Sequence, residues 1–146
     1  MNIHTEILKE SDIEDIIALE NECFAHPWPR SAFEEILTGT TAEYYAAKDD
    51  EGRLLGGAAL FFLSGEGDIT NVAVHGIYRN NGIATKLLED MIEDGRKRGL
   101  TEFTLETRES NLAAIAVYEK NGFVVEGRRP GFYRDPKEDA LVMWLR

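Results

Sequence analysis

The chain has 146 residues, 43% of them hydrophobic, and a formal charge of −11; this length predicts one domain with its own core and excludes a disordered chain. The acidic balance excludes general nucleic-acid binding, which needs a basic surface; it leaves room for a cationic acceptor, although acidity spread along the whole chain is equally well explained by solubility. A single cysteine, Cys23, and three scattered histidines, His4, His26 and His75, form no ligand set, so no metal is expected; the polar opening MNIHTEILKE and the lack of a membrane-length apolar run predict a cytoplasmic protein with no membrane partner.

In chain order, Asn2 to Leu8 alternates and predicts a first strand. Ser11 with Glu14 three residues on reads as a capping box for a helix whose stripe includes Ile13, Ile16 and Ile17 and which ends near Phe24. His26-Pro27-Trp28-Pro29 breaks the chain. Ser31 then caps a second, short helix through Phe33, Ile36 and Leu37, stopped at Gly39. Trp28 thus lies on a loop between helices. An aromatic there lines a cleft or, more often, plugs the core from outside. Ala42–Lys48, Leu54–Leu63 and Ile69–Val74, separated by Asp49–Gly52 and Ser64–Gly67, predict an antiparallel meander of three strands. Gly56 and Gly57 in the second of these suggest a bulge or close packing.

Arg79-Asn80-Asn81-Gly82-Ile83-Ala84 follows as a tight turn, and a helix runs on to Arg98 and stops at Gly99. Ile83, Ala84, Leu87, Leu88, Met91 and Ile92 form its buried stripe. A helix that begins after such a turn presents unpaired N–H groups and the positive end of its dipole, which suits a phosphate. The turn lacks the GKS or GKT ending of a P-loop and the spaced glycines of a dinucleotide fingerprint, so another phosphate-bearing ligand is implied. Thr101–Arg108 predicts a strand parallel to the one ending at Val74, with Phe103, Leu105 and Thr107 on one face and Thr104, Glu106 and Arg108 on the other. Ser110 or Asn111 caps a helix over Leu112–Lys120, ended by Asn121-Gly122. Phe123–Arg128 is a strand, Pro130-Gly131 opens a loop carrying Phe132 and Tyr133, and Ala140–Leu145 is the final strand. The order β-α-α-β-β-β-α-β-α-β-β predicts a mixed α/β sheet with helices on both faces.

The loop Arg79-x-x-Gly82-x-Ala84, followed by LETRESNLAAIAVYEKNGFVVEGRRPGFY and EDALVM, resembles the GNAT superfamily of acyl-CoA N-acyltransferases, and within it the RimI group of ribosomal-protein-alanine N-acetyltransferases. The resemblance covers nearly the whole chain and implies a single GNAT domain, residues 1–146. The sheet would hold about seven strands, mostly antiparallel, splayed between the fourth and fifth, with about four helices. It implies acetyl-CoA as co-substrate, its arm paired with Val72, Ala73 and Val74. The pyrophosphate would meet Arg79 and the N–H groups of Asn80, Asn81, Gly82, Ile83, Ala84 and Thr85, and Asn111 and Tyr118 would border the arm. Glu106 is implied as general base, directly or through water, and Tyr118 as the acid that protonates the leaving thiolate. Trp28 and Tyr133 are implied on the acceptor side. The acceptor that the resemblance implies is a protein N-terminal α-amine, that of a small-subunit ribosomal protein. A small polyamine or amino sugar as acceptor, or a CoA-binding module without turnover, are the alternatives. The loop departs from the family pattern in having Asn80-Asn81 where a basic residue is common, leaving Arg79 as its one full charge.

Overall fold

The computed structural model describes all 146 residues. The strands are β1 (His4–Ile7), β2 (Ala42–Lys48), β3 (Leu54–Leu63), β4 (Glu66–Val74), β5 (Glu102–Arg108), β6 (Val124–Tyr133) and β7 (Glu138–Leu145). The helices are α1 (Ile13–Cys23), α2 (Arg30–Thr38), α3 (Ile83–Lys97) and α4 (Leu112–Lys120). All seven strands form one sheet in the order β1-β2-β3-β4-β5-β7-β6. Every neighbouring pair is antiparallel except β4 and β5. That parallel pair needs a long crossover, and α3 is carried on it.

Alternation along β2 shows why both faces are covered. Tyr44 and Ala46 enter a core built with Ile13 and Ile16 of α1 and Phe33 and Ile36 of α2. Tyr45 and Ala47 enter the opposite core, built with Leu87, Leu88 and Met91 of α3, Phe103 and Leu105 of β5, and Tyr118 of α4. A strand buried on both faces has no room for a polar stripe, and β2 has none. Gly57 is required by this packing: a Cβ there would lie 2.5 Å from the Tyr44 ring. No helix is long and apolar enough to cross a membrane.

β4 and β5 pair over only four positions, Glu66–Ile69 against Glu102–Leu105. Beyond them the strands part. The cause lies on the other side of β4. Between Ala59↔Thr70 and Gly57↔Ala73 the β4 chain advances one residue more than β3. Asn71 in that interval has φ +55. An extra residue in one strand bends and twists it locally, so this bulge turns β4 away from β5.

Three local expectations are corrected. Ser11 caps nothing; a 3-10 turn over Glu10–Asp12 leads into α1, and the Asp12 carboxylate accepts the Lys9 N–H at 2.9 Å. Ser31 lies inside α2, because extended Pro29, φ −72, already starts that helix at Arg30. β6 continues to Tyr133 instead of ending at Arg128. Its pairing with β7 passes from Arg129↔Ala140 to Tyr133↔Glu138, so Pro130 sits in a bulge of an edge strand, where its missing N–H costs no ladder bond.

Candidate active site

Where β4 and β5 part, a cleft of about 570 Å³ opens. It is walled by Asp68–Val72 of β4, Leu105–Arg108 of β5, Asn111 and Tyr118 of the α4 segment, and the loops that carry Trp28 and Arg134. His75 N–H donates to the Leu55 carbonyl across β3 at 3.0 Å. By antiparallel alternation Ala73 also turns its polar groups to β3, and Val72 and Val74 turn theirs away, toward the side from which β5 has departed. The Val74 carbonyl there accepts the Cys23 thiol at 3.4 Å.

At the end of this edge lies the loop before α3. Asn80 and Gly82 have φ +65 and +77. Left-handed backbone at Gly82 carries no Cβ penalty, and it starts the helix without a side-chain cap. The N–H groups from Asn80 through Thr85 have no acceptor within the protein. The Asn81 amide folds the loop by donating to the carbonyls of Tyr78 at 2.9 Å and Arg79 at 3.1 Å. Six consecutive free donors at the positive end of a helix make an anion cradle. Arg79 beside them is in no salt bridge.

Tyr118 is buried on α4, its ring edge-on to Phe123 at 6.2 Å. Its hydroxyl makes no hydrogen bond within the protein and borders the cleft. Burial, and secondarily Tyr133, pushes the phenol well above its usual range, which keeps it protonated. Glu106 pairs with Val142 of β7 in the ladder, while on its other side β4 has gone. Arg129 Nε lies 2.8 Å from Glu106 Oε2, an ion-pair distance. The N–H is not aimed at that oxygen, which is left without a hydrogen bond. Burial first and the Glu106 charge second raise the Asp68 carboxyl above its ordinary value. The same two causes, in the same order, push the Tyr133 phenol to about 12. Glu106, Asp68 and Tyr133 therefore share one local field, and two carboxylates in a half-buried cleft favour an arriving cation.

The remaining expected positions fall at the rim. Asn111 Oδ1 caps α4 by accepting Ala114 N–H at 3.2 Å, leaving its amide N–H₂ free at the cleft. Trp28 packs tilted against Phe33 at 5.7 Å and edge-on to Phe61 at 6.1 Å, so it plugs the α1–α2 core and walls the cleft at once. Tyr133 lies under the Arg108 guanidinium at 4.6 Å, and Arg108 ties the β6–β7 turn through the carbonyls of Pro136 and Arg134. His26 Nε2 and Asp135 Oδ2, 2.6 Å apart, join the loops on either side of the mouth. Sequence reasoning missed Glu20 and Asn71. Glu20 is fully buried on α1, and both its oxygens accept the Asn71 amide, at 2.8 and 3.0 Å. Two signals marked them: a carboxylate at a core position of the Ile13–Ile16 stripe, and an asparagine in a β-branched strand.

The Acetyltransferase (GNAT) family model matches residues 13–123, which includes the loop, Glu106 and Tyr118. A protein of Escherichia coli K12 named [ribosomal protein bS18]-alanine N-acetyltransferase is 31% identical over 140 residues, covering 94% of this chain and 93% of that one. The protein of the same name from Salmonella typhimurium LT2 is 32% identical over 145 residues, covering 95% and 94%. The crystal structure of the ribosomal-protein-S18-alanine N-acetyltransferase from Escherichia coli superposes with a TM-score of 0.88 at 30% identity, covering 99% of this chain and 93% of that one.

Proposed function

The chain belongs to the acetyltransferase (GNAT) family, and on that premise we propose that it moves acetyl from acetyl-CoA to the N-terminal α-amine of a protein, a ribosomal protein being the acceptor its named relatives suggest. The observation that carries this reading is the parting of β4 and β5. It opens the cleft bordered by Glu106 and Tyr118, and six free N–H groups stand before α3, in the loop that follows β4.

In this reading each residue has a chemical task. The N–H groups of Asn80 to Thr85 and the Arg79 guanidinium take the pyrophosphate. Val72 and Val74 pair their backbone groups with the pantetheine arm as with an added strand, and Asn111 adds its amide. A backbone N–H on this edge stabilises the charge that develops on the thioester oxygen. Asp68 and Glu106 draw in the acceptor ammonium, and Glu106, directly or through water, removes its proton. The amine nitrogen bonds to the acetyl carbon as the carbon–sulfur bond breaks, and Tyr118 hands its proton to the departing thiolate. The products are an amide and the free thiol of CoA. Residues 1–146 act as one catalytic domain in this reading.

The test is a panel of short peptides that differ only in their first residues, incubated with acetyl-CoA and read by mass spectrometry. Acetyl on the α-amine, with internal lysines untouched, is expected; acetylation confined to lysine side chains would overturn the assignment. The Asp68–Glu106 carboxylates also suit a polyamine, so spermidine belongs in the same panel. Preference for it over every peptide would favour the small-amine reading.

A further inference from the structure

Acyl transfer as described makes no use of the buried carboxylate of Glu20. A carboxylate in a core is costly unless its oxygens are satisfied. Here both oxygens accept the Asn71 amide. Asn71 is no ordinary strand residue. It lies in the interval where β4 gains its extra residue, its φ is +55, and its Oδ1 accepts the Thr70 hydroxyl at 3.0 Å. The same end of α1 grips the end of β4 and the turn that follows it. Cys23 Sγ reaches the Val74 carbonyl at 3.4 Å. Glu22 accepts Gly76 N–H at 2.7 Å and meets His75 Nδ1 at 2.9 Å. Side chains on the last turn of α1 thus run as a splint along the stretch of β4 that has lost β5.

We propose that Glu20 is a positioning residue of the transfer site: through Asn71 it locks the β4 bulge, so that Val72 and Val74 present their backbone groups to the acyl donor. The inference rests on the acetyl-transfer reading of the cleft. A misplacement of an ångström in such a site is enough to cost one to two orders of magnitude in rate.

The experiment uses the full chain as Glu20→Ala, Glu20→Gln, Asn71→Gly and the Glu20→Ala/Asn71→Gly double variant. Steady-state kinetics with acetyl-CoA and the best peptide are measured well below each variant's Tm, beside CoA titration by calorimetry. Glu20→Ala should lose about tenfold or more in kcat/KM for acetyl-CoA. Glu20→Gln, whose amide oxygen still accepts from Asn71, should recover most of it. Asn71→Gly keeps the left-handed backbone but loses the amide, so its loss should equal that of Glu20→Ala. Two residues acting as one unit should be non-additive, with the double variant little worse than either single one. A lower Tm with kcat, both KM values and CoA affinity unchanged in Glu20→Ala would overturn the proposal, as would losses that multiply in the double variant. If the wild type binds CoA but acetylates no acceptor, the functional reading fails instead, and CoA affinity across the four variants still decides the role of Glu20. Should Glu20→Ala fail to fold, Glu20→Gln against Asn71→Gly decides it.

Discussion

Tyr118→Phe keeps the ring on Phe123 and removes only the proton. Turnover is expected to fall by about 100-fold while CoA affinity by calorimetry is retained; unchanged turnover would remove Tyr118 from its role. Glu106→Gln should cost about 10- to 100-fold in kcat and flatten the acidic limb of the pH–rate profile. Glu20 adds a stability prediction. Burial, the largest cause, raises its carboxyl from 4.5 to about 7, against the Asn71 amide and the Trp28 N–H. The folded chain therefore holds a proton that the unfolded chain has released, and stability falls as pH rises from about 4.5 to about 7. Tyr44 and Cys23, its titratable neighbours, are held above their usual ranges chiefly by burial and stay neutral throughout that window. Glu20→Gln should abolish this part of the slope, worth about 2 kcal/mol between pH 5.5 and 8, and denaturant melts of both proteins at those two pH values measure it. That Glu106 lies near the end of β5 and Tyr118 about two turns into α4 was legible from strand alternation and helix length; that these two positions matter was implied only by the family resemblance. The pairing of Glu20 with Asn71 was not legible, since 51 residues separate them and only the folded chain brings them together.

Among the elements, β4 governs the site through its bulge, and β2 governs its foundation. Gly57→Ala drives a methyl against the Tyr44 ring, whose hydroxyl is buried without a hydrogen-bond partner and has nowhere to yield. We expect a loss of about 1–3 kcal/mol in unfolding free energy by chemical denaturation, with m unchanged. Most element boundaries were legible to within one to three residues, because periodicity and Gly punctuation report local geometry. The exceptions share a physical cause. β6 passes through Pro130 because β7 holds it from one side, and no propensity within GRRPGFY predicts that support. The two serine caps were displaced because Asp12 and Pro29 ended the preceding segments first. The splay itself left one trace, Asn71 among β-formers, which a strand reading treats as an imperfection.

At the scale of the whole molecule, the sheet consists of β1–β4 and of β5, β7 and β6, with four paired positions between them. At that junction Gly67 packs between Phe103, Leu60 and Leu100, where a Cβ would fall within 3.0 Å of each. Across the mouth, the His26–Asp135 contact is a single polar bridge. One core packs against both leaves, but with so short a ladder between them we expect relative twist to be their softest motion, and opening of that kind is what amide exchange detects. A donor held at once by Val72 and Val74 on one leaf and by Asn111 and Tyr118 on the other would damp the twist. Saturating CoA should therefore slow exchange in β6 and β7, strands remote from the pyrophosphate loop, and protection confined to the loop before α3 would show that the leaves move independently of the ligand. The short spine thus makes the distant edge of the sheet a mechanical gauge of whether the cleft is filled.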